Sequence, residues 1–457
     1  MTDRGDDDTP DLPPELEQLL RGLTGGEVDP QLASMVQGMG LDKVDPQMLQ
    51  MVMGQVQAMF AAPPSDTAVD ATVATDIARK TVASAGDALA GEADRRAAAE
   101  AVQVADLWLA GATDLDSPGL RGTAWSRAEW VEATMPVWAG LVEPVAEGVS
   151  DAVAAVLERQ LGDLPEGAVP PAMAGMMDQA APMLRRMHGS MFSMQLGQGV
   201  GRLAGEVLTG CEVSLPLVTP PEVVLMPAAV RELAEGLEVD EAQTRLFLAV
   251  REVARVRLFH AVPWLAPALL AAVRDYAGDI TIDTEGIEEA VRSIDPADPQ
   301  AVQEALQGRM FAPQHSPAQQ AALARLETVL ALVEGWVDVV AGRACEAHLP
   351  AASALGEAVR RRRATGGPAE KAFGALVGLE LRPRRLRDAA NLFRALEDSG
   401  GAGARDAAWR HPDLAPSTAD LDDPLGYVER SQDTGGDDLD AELDALLRGE
   451  SGDEGRG

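Results

Sequence analysis

Residues 74–113, ATDIARKTVASAGDALAGEADRRAAAEAVQVADLWLAGAT, bring small apolar side chains back at intervals of three and four. That spacing sets them on one face of an α-helix. The filler is alanine, the strongest helix former, and aromatic residues make up only 4% of the chain, which leaves little of the bulk that sheets favour. The same period runs through 126–161, where Ser126 and Glu129 stand at capping-box spacing. It returns in 173–208 and in 316–347, where Ser316 is placed to cap and Pro317 to open the first turn. The one strand signal is at 211–226: CEVSLPLV alternates apolar and polar residues, and TPPEVVLM follows a proline turn. We therefore expect a mainly α fold (α+β), with long helices and a small hairpin or edge sheet.

Residues 1–74 form an acidic region rich in Met and Gln, ending in a linker. It carries two copies of a motif, VDPQLASMVQGMG at 28–40 and VDPQMLQMVMGQVQAMF at 44–60. Asp29 and Asp45 can cap, Pro30 and Pro46 can start short helices, and a methionine-rich face can dock on a partner or on its own domain. Residues 75–430 read as one mostly helical domain, and 431–457 as an acidic flexible tail. The four tryptophans Trp108, Trp125, Trp130 and Trp138 are read as core.

Basic residues number 38 and acidic residues 73, a formal net charge of −35. Such a surface repels nucleic acid and anionic lipid, so neither is expected as a partner. The N-terminus has no apolar run to act as a leader, and no 18-residue uncharged stretch appears, so we expect a cytoplasmic protein. Cys211 and Cys345 sit in apolar surroundings and read as buried thiols. GQGVG at 197–201 has no strand before it and is no phosphate loop. The basic run VRRRRAT, 359–365, is read as an exposed helix end, with an acidic partner or the acidic tail as the alternative.

The chemistry concentrates in AVREVARVRLFHAVPWL, 249–265. Glu252 follows Arg251 and precedes Arg255 by three residues. With histidine in place of both arginines, this would be H-E-x-x-H on a helix. Read from the residues alone, Glu252–Arg255 is an i,i+3 pair on a charged stripe, worth a few tenths of a kcal/mol.

Several segments stand in a particular order: short strands, the R-E-x-x-R helix running into LFHAVPWL, LVEGWVDVV near 332–340, AFGALVGLELRPRRLRDAANLF, and AWRHPDLAPSTADLDDPLGYVER. This order resembles an actinobacterial family of zincin-like hydrolases, described as zinc-dependent metalloproteases. Some members carry a label tying them to coenzyme F420 biosynthesis. The resemblance spans about 75–430 and implies a zincin-like metallopeptidase domain.

In such a domain two histidines one turn apart bind zinc, a third ligand comes from a later helix, and the motif glutamate takes a proton from the metal's water. By the resemblance, Arg251 and Arg255 hold the two histidine positions, Glu252 is the vestigial general base, Glu334 is the third-ligand position, and Asp338 supports it from behind. Arginine offers a metal no lone pair. None of His188, His260, His315, His348 and His411 pairs at ligand spacing. We thus expect no metal and no cofactor in this copy, although zinc is the family's metal. Its two guanidinium groups would neutralise the two carboxylates instead. The function expected is that of a pseudoenzyme binding a peptide or protein partner. The rivals are an active zinc-dependent hydrolase with unconventional ligands and an assembly protein acting through its N-terminal repeat.

Overall fold

The computed structural model describes residues 67–162, 171–219, 221–278, 317–366, 374 and 385–433. The N-terminal repeat, the segments around 279–316, the stretch 367–384 and the acidic tail lie outside the described residues. The chain divides into two compact units, Met1–Asp66 and Thr67–Gly457, and all that follows concerns the second.

Helices dominate, as the alanine-rich periodicity requires. In chain order they are α1 (Ala71–Ala85), α2 (Glu92–Leu109), α3 (Arg127–Gly162), α4 (Pro171–Ala204), α5 (Pro227–Leu237), α6 (Glu241–Ala261), α7 (Leu265–Gly278), α8 (Pro317–Glu346), α9 (Ala352–Thr365), α10 (Leu386–Ala407), α11 (Thr418–Asp422) and α12 (Pro424–Asp433). Sequence-readable signals set several boundaries. The Asp70 side chain caps α1 by accepting from the Thr72 and Val73 amides, and Asp240 caps α6 by accepting from the Gln243 amide.

A small sheet forms as expected, with the run EVVL of 211–226 as one strand, but its pairing is not that of a hairpin. Its two strands, β1 (Arg121–Ala124) and β2 (Glu222–Leu225), pair in parallel, with Arg121 opposite Glu222 and Ala124 opposite Leu225. No hairpin forms at 211–226. CEVSLPLV is a turn in which Ser214 adopts a left-handed φ of 63°. The alternation misleads because both of its phases are buried: Cys211, Val213, Leu215 and Leu217 face core, while Glu212 and Ser214 are also buried and hold polar partners.

α6 and α8 form the centre. Every residue of α6 from Phe247 to Phe259 is buried, and so is every residue of α8 from Leu330 to Ala341. A helix enclosed on all sides carries no amphipathic stripe, and its charged residues must find partners inside. Trp130 and Trp138 are fully buried, and the Trp130 indole donates to the Gly210 carbonyl at 3.0 Å, holding the 209–218 turn against the core. α10 packs directly on α8 at Gly335, where a Cβ would lie 2.7 Å from the Ala390 amide nitrogen. Glu334 is therefore set one residue from the closest contact between these helices.

A second buried polar cluster fastens α10. Asp406 accepts from the Thr113 hydroxyl at 2.6 Å and the Trp336 indole at 2.8 Å, and Arg405 donates to the Ala112 carbonyl at 2.7 Å. Both cysteines are free and buried. Among the described residues, no single helix is long and apolar enough to cross a membrane.

Candidate functional site

Arg251 and Arg255 lie one turn apart on α6 and point at Glu334 on α8. Arg251 donates to Glu334 Oε2 at 2.9 Å and to Asp338 Oδ1 at 3.2 Å. Arg255 donates to Glu334 Oε1 at 2.7 Å and also to Glu252 on its own helix. The four groups singled out by the resemblance, and Asp338 with them, thus meet in one cluster. None is more than 6% exposed.

The 209–218 turn supplies groups that no periodicity announced. Glu252 accepts from the Cys211 amide at 2.7 Å and the Thr209 hydroxyl at 2.8 Å. The Ser214 hydroxyl donates to Glu334 Oε1 at 2.6 Å. α9 supplies the remainder: Arg360 donates to Asp338 at 3.2 Å, and Arg363, itself buried, reaches the Ser214 hydroxyl at 3.4 Å. The basic run is therefore no simple exposed helix end. Arg361 faces solvent, while its neighbours turn into the domain.

Fully desolvated ions persist only when paired and hydrogen-bonded. Burial alone would raise Glu334, but Arg255, Arg363 and Arg251, with the Ser214 hydroxyl, outweigh it and hold the carboxyl at about 2. Glu252 goes the other way: burial pushes it above the usual carboxylate range, and Arg255, the Cys211 amide and Thr209 offset only part of that. Burial works against the Arg255 charge as well, yet Glu334 and Glu252 keep it raised. Burial, with Glu252 adding, pushes the Cys211 thiol up to about 12, and burial does the same to Cys345. Both are neutral thiols at ordinary pH.

A pH dependence follows. An unfolded glutamate titrates near ~4.3, so between about 4.5 and about 2 the unfolded chain binds a proton at Glu334 that the native state does not. Glu334 therefore stabilises the fold fully above that window and progressively less as pH falls through it. Glu252, raised, contributes with the opposite sign. In urea titrations, the wild-type advantage over E334Q is expected to narrow as pH is lowered from about 4.5 to about 2; a gap that stays constant over this range would contradict the assignment.

A void of about 10 Å³ remains beside the cluster, lined by Thr209, Leu248, Arg255, Glu334, Val359 and Arg363 among others. That is room for about one water and none for a peptide. An open hollow of about 550 Å³ adjoins Asp338, lined by Phe247, Leu349, Arg360 and Arg394 among others.

Among the described residues, no histidine bonds to the cluster. His348 stacks on Trp108 with ring centroids 4.5 Å apart, and the His411 ring accepts from the Asp413 amide. His260 is exposed, and His315 lies outside the described residues.

A family model described as zincin-like metallopeptidase matches residues 69–428. A crystal structure of a "putative hydrolase with a novel fold" from Chloroflexus aurantiacus superposes with a TM-score of 0.55 at 15% identity, covering 80% of this chain and 99% of that one. At that identity the likeness speaks for the fold alone. The curated proteins give no match.

The family match corrects one expectation. A zincin-like metallopeptidase fold implies zinc, so the flat expectation of no cofactor does not stand. The disagreement is local and chemical. Two guanidinium groups stand where the sequence resemblance would put two imidazole ligands, and Glu334 is engaged by Arg251, Arg255 and Ser214. No group of three or more His, Cys, Asp or Glu able to hold a metal occurs among the described residues. At this seat the residues do not fit zinc.

Proposed function

We propose, from the premise that the chain belongs to the zincin-like metallopeptidase family, that this copy is a pseudoenzyme whose cleft binds a peptide or protein partner without hydrolysing it. One observation carries the reading: Arg251 and Arg255, which the sequence resemblance sets at the histidine positions, close on Glu334 and Glu252 by ion pairs. A general base must reach the proton it abstracts. Both Glu252 oxygens instead accept hydrogen bonds from Arg255, Thr209 and the Cys211 amide. The small void beside Arg255 and Glu334 leaves no space for a scissile bond, whereas the open hollow next to Asp338 supports binding beside the cluster.

The rival reading, an active hydrolase with unconventional ligands, draws on the family's description and on the hydrolase neighbour. The two differ at Glu252. Any peptide hydrolysis by the wild type is expected to persist in E252Q within about twofold, in protein shown by circular dichroism to be folded. Glutamine keeps an acceptor for the Cys211 amide and Thr209 but cannot take a proton. Were Glu252 the working base, its loss would lower the rate by about 10²–10⁴, and that outcome would establish the rival.

A further inference from the structure

α9 lies between three spaces around the buried cluster. Gly356 and Arg360 line the hollow of about 550 Å³, Val359 and Arg363 line the void of about 10 Å³ beside Glu334, and Arg362 lines a third hollow of about 320 Å³ beside Leu208 and α5. Three spaces thus follow one another along a single helix, which separates them. Leu355, Val359 and Arg363 stand four residues apart on its inward stripe.

The contacts that seat α9 are mostly guanidinium contacts. Arg360 pairs with Asp338, Arg363 reaches Ser214 and bears on Glu334, and Arg362 donates to the Glu206 carbonyl and lies 3.7 Å from Glu212. Two apolar side chains, Leu355 and Val359, are buried with them. The N-cap of α9, Ala351, offers no side-chain cap, while the helix end is closed by the Gly366 amide donating to the Arg362 carbonyl. Glu357 pairs with Arg360 and Arg361 within the helix, yet an isolated helix of this length is marginal in water. α8, by contrast, is buried without interruption from Leu330 to Ala341.

We infer that the cleft is a docking surface for an arginine-bearing amphipathic helix, that α9 is its resident occupant, and that a partner's helix of the same chemistry takes its place when α9 swings out. The inference rests on reading the cleft as a non-catalytic binding site and supplies the partner's chemistry. The recognition elements are Asp338, Glu212, the Glu206 carbonyl and Ser214, placed to accept guanidinium groups that fan out from one helical turn. A partner so recognised is basic, which suits a chain of net charge −35.

Two measurements on the full chain test this. A fluorescently labelled peptide of sequence 352–365 is titrated into wild type and into R360Q/R363Q, which loosens the resident helix. The peptide is expected to bind the variant at least tenfold more tightly than wild type, and a peptide with Arg360, Arg362 and Arg363 replaced by glutamine is expected to lose that binding. Equal affinity for the two proteins, or for the two peptides, would overturn the inference. If the variant does not fold, hydrogen exchange on wild type decides. The α9 amides are expected to exchange well before those of Ala331–Ala341 in α8, and faster still when salt rises from about 0.05 to about 0.5 M, because screening weakens partly exposed ion pairs. Exchange of α9 together with the α8 centre, indifferent to salt, would overturn it. Hydrolysis that depends on Glu252 would sink the non-catalytic reading instead, while the movement of α9 would remain measurable by exchange.

Discussion

Replacing Glu334 with glutamine is expected to remove about 3–5 kcal/mol of stability, the range found when one partner of a buried ion pair is taken away. Glu334 is fully buried and accepts from Arg251, Arg255 and Ser214. Without its charge, two enclosed guanidinium groups lose their common anion while keeping their desolvation penalty. Total stabilities of about 5–15 kcal/mol make this a large fraction of the whole. The measurement is equilibrium urea unfolding of E334Q beside wild type. R255M tested alone should also be strongly destabilising, because it abandons Glu252 and half of Glu334. The double variant E334Q/R255M should lose less than the sum of the two, by about 1–3 kcal/mol, since contacting residues couple. A single-variant loss below about 1 kcal/mol, or strict additivity, would mean that the cluster is not the tightly paired unit described.

The second large effect is a gain. The variant R251H/R255H is expected to take up one zinc ion per chain more than wild type and to gain several degrees in melting temperature when zinc is added. Both side chains leave α6 on the face that meets Glu334, one turn apart. Two imidazoles and a carboxylate there make the three-ligand set of a catalytic zinc site. At zinc a hundredfold above its dissociation constant, linkage alone stabilises by about 2.7 kcal/mol. Before metal is added the variant should be less stable than wild type, because Glu334 keeps Arg363 but has lost two of its three cations. Elemental analysis and thermal melts check both halves. Equal zinc content in variant and wild type would show that these positions are not ligand positions.

The legible parts of the fold were those with a helical period and a cap. The alanine stripe of α1 and α2 and the proline opening α8 are written in single residues. The buried tryptophans Trp130 and Trp138 also followed from the sequence. β1 was not legible, since four residues, RGTA, carry no alternation, and their partner lies about a hundred positions away.

In the site, the resemblance picked out Arg251, Glu252, Arg255, Glu334 and Asp338, which the structure brings together. Residue spacing alone favoured a solvated i,i+3 pair, because nothing local shows that α6 is enclosed on every side. Thr209, Cys211 and Ser214 escaped notice because they act from a turn, two of them through a hydroxyl and one through its backbone amide. The arginine run was misread for a geometric reason. Successive residues on a helix step by about 100°, so four in a row point in four directions, and the sequence does not say what each of them meets.

The enclosure of α6 has a bearing on descent. A lineage that restored one histidine at a time would first strand a carboxylate in the interior, with the fold weakened and no metal yet held. Each solitary step is penalised, and only the paired step is rewarded. The buried floor of the cluster is thus fixed by mutual dependence among its side chains, while residues around it are free to drift.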